Sequence, residues 1–133
     1  MSDDVNHRDK YGYRALGRAV GAGDLQRCRD MLARGADLEI RDKGGRTAVM
    51  WAADRGYLET VKLLTEAGAD LEIKDNNGRT AVMNAALEGH LETVKLLNEV
   101  GAALNARSTY GWTAVMWAAV GGHLETVKWL TEV

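Results

Sequence analysis

One segment of this chain occurs three times with almost the same residues, and this repetition limits the possible folds more than any other feature. The copies cover residues 45–71, 78–102 and 111–128, and each begins with a glycine two residues before a Thr-Ala-Val-Met run. They are spaced about 33 residues apart, a period at which repeated sequences form stacked arrays. We therefore expect a stack of small units, since one unit cannot bury its own apolar surface.

The first half of each copy predicts a short helix. In the first copy Val49, Ala52 and Ala53 lie at i, i+3 and i+4, on one apolar face. A threonine precedes each such helix and suits the N-cap, where its hydroxyl can accept a backbone N–H; these are Thr47, Thr80 and Thr113. A glycine suited to the left-handed conformation ends each helix, at Gly56, Gly89 and Gly122.

The second half of each copy predicts another helix. Leu58, Val61 and Leu64 lie on its inner face, while Glu59 and Lys62 lie on the solvent side. Glycines end these second helices as well, at Gly68 and Gly101.

The loops between units have two recognisable parts. Residues 38–40 and 71–73 alternate apolar and polar side chains, which predicts short extended arms. Turn-forming residues at 42–45 and 75–78 predict tips like those that close a hairpin.

These units resemble ankyrin repeats. The resemblance rests on a Gly-x-Thr-Ala-x-Met-x-Ala-Ala opening, a Gly-(His/Tyr)-Leu-Glu-x-Val-Lys-x-Leu centre and a Gly-Ala-(Asp/Ala)-Leu close. It implies an all-α ankyrin-repeat solenoid of helix-turn-helix units with β-hairpin-like loop tips. The family's usual Thr-Pro-Leu-His opening is Thr-Ala-Val-Met here. We expect a column of thioethers to fill the gaps between repeats in place of the histidine, at Met50, Met83 and Met116.

The resemblance divides the chain into a polar tail at 1–8 and a single domain at 9–133. Within the domain we assign an N-terminal capping repeat to 9–41, regular repeats to 42–74 and 75–107, and an incomplete C-terminal repeat to 108–133. The last repeat stops inside its second helix and carries Trp129 and Val133 without a polar capping pattern. We favour a truncated or engineered array over a natural C-terminus that keeps this edge apolar and self-associates.

Composition excludes several classes of protein. The 133 residues are 46% hydrophobic with a net charge of −2, which indicates one soluble domain without the basic face that nucleic acid requires. We expect neither a membrane span nor a signal peptide. Because Cys28 is the only cysteine, no internal disulfide can form, and the chain suits a reducing, cytoplasmic compartment.

No group of residues indicates catalysis, so we expect neither an enzyme nor a cofactor or metal site. His90 and His123 occupy equivalent turns, where a hydrogen bond to backbone is a better interpretation than metal ligation. Cys28 aligns with inward-facing valines and is interpreted as a packing residue. Asp42 and Asp75 are interpreted as turn formers.

Positions that differ between copies are candidates for binding a protein partner, because packing does not constrain them. The candidates lie at tips and on first helices: Tyr11, Tyr13, Lys43, Arg46, Trp51, Arg55, Asn76, Arg79, Asn84, Glu88, Tyr110, Trp112 and Trp117. Aromatic residues and arginine are the usual hot-spot types. Alternatively, Trp51 and Trp117 are half-buried packing residues, and Arg46 and Arg79 are solvated. Tyr110 and Trp112, expected to lack packing partners of their own, are the strongest candidates.

The sequence therefore predicts a non-enzymatic protein-protein interaction module that binds through its tips and concave helix face. The alternative is an engineered or structural repeat scaffold without an evolved partner. We expect a monomer, with weak self-association through the last repeat as the alternative.

Overall fold

The computed structural model describes Asn6 and residues 15–133. Within this part of the chain, eight helices follow one another: α1 Ala15–Gly21, α2 Leu25–Ala33, α3 Ala48–Arg55, α4 Leu58–Glu66, α5 Ala81–Leu87, α6 Leu91–Glu99, α7 Ala114–Val120 and α8 Leu124–Glu132. None of them is long and apolar enough to cross a membrane.

The helices form two layers. In the first layer α3 packs against α1 and α5, and α5 packs against α7; in the second, α4 packs against α2 and α6. The core between the layers contains two of the three predicted inward residues of α4, since Val61 and Leu64 are fully buried, as are their counterparts Val94 and Leu97 in α6. The third, Leu58, is only partly buried and is not part of this core, so its expected inward position is wrong. The predicted all-α solenoid is confirmed, and its stability arises between neighbouring units.

The predicted threonine is the N-cap of α3, α5 and α7, but it does not make the predicted hydrogen bond. Thr47, Thr80 and Thr113 have the extended backbone of an N-cap, yet their side chains make no capping hydrogen bond. The hydroxyls of Thr47 and Thr80 are buried without a partner among the described residues. The expected capping bond is therefore wrong, and the β-branched side chain suits the extended backbone of this position instead.

The loops between units differ from the predicted arms. Residues 38–39 and 71–72 lie in turns, and no strand occurs in the described part of the chain. The reason is local: Asp37 Oδ1 accepts the backbone N–H of Glu39, and Asp70 Oδ1 accepts that of Glu72, both at 2.9 Å. A side chain that bonds the backbone two residues ahead bends the chain. The expectation of extended arms is therefore wrong.

The tips are hairpin-like in their backbone hydrogen bonds. Asp42 N donates to Arg46 O at 3.0 Å, and Asp75 N donates to Arg79 O at 2.9 Å. Asp42 Oδ1 also accepts the backbone N–H groups of Gly44 and Arg46. The interpretation of Asp42 as a turn former is confirmed.

A row of side chains links each loop to the next. Asp70 N donates to Glu39 Oε2, Ala103 N donates to Glu72 Oε2, and Asp37 N donates to Asn6 Oδ1. Asn6 was assigned to the polar tail, but it makes the same contact as the two glutamates. Burial raises the pKa of the Glu39 carboxyl, although the Asp70 N–H acts in the opposite direction.

Two of the residues interpreted as structural, His90 and Cys28, have structural surroundings. His90 Nε2 donates to the carbonyl oxygen of Asp54 at 2.9 Å, which confirms the predicted bond to backbone. Cys28 is fully buried in the core. Burial, with a smaller effect of Asp24, raises the pKa of its thiol from 9.0 to about 11. Because the thiolate is the reactive form, this environment suits packing rather than nucleophilic chemistry.

The last unit leaves an apolar face uncovered. Met50 and Met83 are buried as the thioether column predicts, whereas Met116 is 42% exposed. Val120 and Leu124 are 59% and 80% exposed on the same unit. Among the described residues no further unit covers α7 and α8, so Met116 meets solvent although its counterpart Met83 is fully buried.

Candidate functional site

A buried carboxylate organises the surface formed by the tips and first helices. Asp75 is only 5% exposed, and its Oδ1 accepts the backbone N–H groups of Asn77 and Arg79 at 2.9 and 3.0 Å. Its Oδ2 lies 3.9 Å from Arg46 Nε and 3.7 Å from Arg79 Nε. Asp75 therefore closes its own tip, and its Oδ2 forms ion pairs, without hydrogen bonds, with arginines from two successive tips.

Each of these arginines lies over a tryptophan. The guanidinium carbon of Arg46 is 4.9 Å from the centre of the Trp51 ring, and that of Arg79 is 5.3 Å from the Trp117 ring. Such distances allow cation–π attraction. We call Trp51, Arg46, Asp75, Arg79 and Trp117 the arginine–tryptophan row.

The ends of this row are held by further contacts. Trp51 Nε1 donates to Asp42 Oδ2 at 2.7 Å, which fixes the indole against its own tip. Arg46 Nη1 lies 3.9 Å from Asp54 Oδ2. The Trp112 and Trp117 ring centres are 4.9 Å apart, with the rings tilted by 50°. A surface whose side chains are already held loses little conformational entropy on binding.

These contacts decide between the interpretations of the four central candidates. Trp51 and Trp117 are partly buried, and so are Arg46 and Arg79. The tryptophans are thus half-buried packing residues, and the arginines are held in place rather than simply solvated. All four retain partial exposure, so each can still contact a partner.

The tips form a continuous edge beside the row. Asn76 Nδ2 donates to Lys43 O at 2.8 Å, and Asn76 N donates to Gly44 O at 2.9 Å, so two successive tips are bonded to each other. Lys43 and Asn76 remain exposed, as do Arg55 and Glu88 on the first helices. Tyr110 is 88% exposed.

The expectation that Trp112 lacks a packing partner is wrong. Its ring packs on Trp117, and the residue is only partly exposed. Only the last unit has tryptophan both at this tip position and five residues later on the first helix, at Trp112 and Trp117. Stacking of the two large apolar rings removes area from water that a lone tip residue would leave exposed.

The assignment of Asn84 to an exposed contact surface is also wrong. Its side chain is fully buried, and neither its amide nitrogen nor its amide oxygen has a hydrogen-bond partner among the described residues. Asn84 lies in α5, which packs against α3 on one side and α7 on the other. A difference between copies therefore does not always mark an exposed position.

The remaining two candidates, Tyr11 and Tyr13, lie outside the described residues. Sequence reasoning missed the second role of Asp75, which was interpreted only as a turn former. The available indication was that this aspartate recurs at Asp42 and is replaced by Ser108 in the last unit. Among the described residues, no group of three or more His, Cys, Asp or Glu side chains could hold a metal ion.

Stacked pairs of helices with projecting tips and a pre-arranged polar and aromatic face define a helical-repeat protein. The family model for ankyrin repeats (3 copies) matches residues 1–75 and 68–133, which together span the chain. The chain therefore belongs to the ankyrin-repeat family. A comparison with curated proteins gives no match.

Proposed function

We propose that this chain is a non-enzymatic module that binds a protein partner through its tips and first-helix face. Ankyrin repeats are in general protein-protein interaction modules. The observation that carries the proposal is the arginine–tryptophan row, because it presents hot-spot residue types in a fixed arrangement. The exposed Tyr110 extends the same surface at the tip of the last unit.

The family is typically non-enzymatic, and the residues that could suggest catalysis have other roles. The carboxylates of Asp42 and Asp75 are bonded to their own turns. The raised pKa of the buried Cys28 thiol makes it a poor nucleophile at neutral pH.

Replacement of Tyr110 by alanine tests the proposal without disturbing the core. We expect Tyr110→Ala to weaken partner binding by about tenfold or more, since truncating a hot spot costs upwards of roughly 2 kcal/mol. The thermal midpoint should stay within experimental error of the parent, because the side chain is 88% exposed. Partner capture from a cell extract, followed by calorimetric titration of the captured protein, measures the effect.

Thr109→Ala is a matched control, because Thr109 is an exposed neighbour on the same tip with a smaller side chain. It should bind like the parent. Equal affinity of the Tyr110 and Thr109 variants would argue against a contact at this tip. A parent chain that captures no protein from any extract would oppose the proposed function itself.

The exposed apolar face of the last unit favours a second candidate, a scaffold that self-associates through its C-terminal repeat. Met116, Val120 and Leu124 are all at least 42% exposed. Light scattering at rising concentration should then show dimers or larger species for the parent, and monomers for a Val120→Glu, Leu124→Glu variant, because charges oppose burial of this face. A parent that stays monomeric at high concentration contradicts this candidate.

A further inference from the structure

The last unit has lost one half of a hydrogen bond that joins the tip to the first helix in the repeat at 42–74. There Trp51 Nε1 donates to Asp42 Oδ2 at 2.7 Å. In repeat register Trp117 takes the place of Trp51, and Ser108 takes the place of Asp42. Serine lacks the carboxyl group, and Trp117 Nε1 is buried without a hydrogen-bond partner among the described residues. A buried donor without an acceptor costs free energy, so this position favours an acceptor from elsewhere.

The Trp117 ring is held in the same way as the Trp51 ring. In the earlier repeat Arg46 stacks on Trp51, with its guanidinium carbon 4.9 Å from the ring centre. The residue in register with Arg46 is Trp112, and its ring centre also lies 4.9 Å from that of Trp117. The two indoles thus have equivalent neighbours, which indicates that the Trp117 N–H faces the place of the missing carboxyl group.

The backbone of the last tip, residues 108–112, lacks the same acceptor. In each of the other two tips one aspartate oxygen accepts two backbone N–H groups, at 2.9 and 3.0 Å. In the last tip Trp112 N donates to Ser108 Oγ at the longer distance of 3.3 Å. The Tyr110 N–H, in register with the second donor, has no acceptor among the described residues. Two N–H groups, those of Tyr110 and of the Trp117 indole, can therefore donate to a ligand.

The charges around the last tip favour an anion. Neither this tip nor helix α7 contains an acidic residue. Arg107 is exposed and forms no ion pair within the part of the chain that the structure describes. The guanidinium carbon of Arg79, from the preceding tip, lies 5.3 Å from the Trp117 ring. The carboxylate of Asp75 is within 4 Å of both Arg79 and Arg46, so arginines outnumber carboxylates among these groups.

We propose that the last tip binds a carboxylate group, supplied by an aspartate or glutamate of the protein partner. The carboxylate occupies the place that the Asp42 side chain has in its own tip. It accepts the N–H groups of Tyr110 and of the Trp117 indole, and Arg107 attracts its charge. Because Ser108 and the indole nitrogen are buried, only a group as small as a carboxylate can enter. This inference rests on the proposed protein-binding function and adds the chemistry that this tip recognises.

Titration of the isotope-labelled full chain with sodium acetate tests the site, with sodium chloride at equal ionic strength as the comparison. Nuclear magnetic resonance observes the indole N–H signals of the four tryptophans. We expect acetate to shift the Trp117 indole and Tyr110 amide signals with saturation, because both protons enter charge-assisted hydrogen bonds. The Trp51 indole, already bonded to Asp42, should not respond. Trp117→Phe, which keeps an aromatic ring without an N–H, identifies the Trp117 signal.

Ser108→Asp restores the aspartate of the other tips and supplies the carboxylate from the chain itself. This variant should have a higher thermal midpoint and no acetate response, since the N–H groups then have an internal acceptor. Thr109→Ala changes the next, exposed position of the same tip and should leave the acetate response as it is in the parent.

Random linear peptides displayed on phage, selected on the immobilised parent chain, test whether a protein segment supplies the carboxylate. We expect the selected peptides to be enriched in Asp or Glu and to bind more weakly as salt concentration rises. They should bind Ser108→Asp about tenfold or more weakly than the parent, because the site then holds its own carboxylate. Trp117→Phe should weaken them similarly.

Three outcomes of the acetate titration would overturn the site: no shift of the Trp117 signal, an equal shift with chloride, or a shift that persists in Ser108→Asp. Because acetate needs no partner, such a failure is distinct from a failure of the proposed function. A specific acetate response without any selected peptide, or with peptides that bind the parent and Ser108→Asp equally, would overturn the assignment of the carboxylate to a protein partner.

Discussion

Replacement of Met83 by alanine is expected to lower the free energy of unfolding by about 2–5 kcal/mol. Met83 is fully buried in α5, which has a described first-layer helix on each side, α3 and α7. Truncation therefore removes apolar contacts and leaves a cavity that neighbouring repeats cannot easily fill. Urea denaturation followed by circular dichroism measures the change.

The chain contains its own control for this experiment. Met116 lies in the same Thr-Ala-Val-Met run but is 42% exposed, because the described residues place no unit beyond it. Met116→Ala should cost roughly 1 kcal/mol or less, as substitutions near the surface do. Equal losses at the two positions would contradict the interpretation of the methionine column as a set of contacts between units.

Gly56→Ala is the second change for which we expect a large loss, of roughly 2–3 kcal/mol. Gly56 has a φ of +70°, where a residue with a Cβ atom is strained. A Cβ atom there would also lie 2.5 Å from His90 Nδ1 of the next unit. The His90 ring must move, and its hydrogen bond to the Asp54 carbonyl is then lost. Thermal unfolding followed by circular dichroism measures the loss.

Gly122→Ala isolates the backbone part of this effect. Gly122 has a similar φ of +76°, but no atom of the described residues lies within 4 Å of a Cβ placed there. We expect a loss of about 1–2 kcal/mol, the cost of the left-handed conformation alone. If Gly56→Ala costs no more than Gly122→Ala, the His90 contact does not couple the two units.

The sequence predicted the elements of each unit well because their causes are local. The apolar spacing of Val49, Ala52 and Ala53 predicts a helix, and α3 spans these residues. Gly56 ends that helix in the left-handed conformation, as predicted. The loops were predicted less well, since the alternating pattern at 38–40 does not reveal that Asp37 bonds the backbone of Glu39 and bends the chain.

The candidate site was predicted only in part. Lys43, Asn76 and Tyr110 are exposed as expected, but Asn84 is buried and Trp112 packs on Trp117. Comparison of copies finds positions that vary, yet it does not show which side of a helix meets a neighbouring unit. Asn84 is buried because α3 and α7 pack on both sides of α5, and the sequence of α5 alone does not reveal this packing.

The repeat period and its apolar spacing, present in the sequence itself, determined the unit, its two helices and their tendency to stack. The tertiary structure alone decided how units meet: Asp75 forms ion pairs with arginines from two tips, and Met83 is buried where Met116 is exposed. The physical reason is that helix periodicity and turn chemistry act over a few residues, whereas burial and ion pairing depend on side chains about 33 residues apart that stacking brings together.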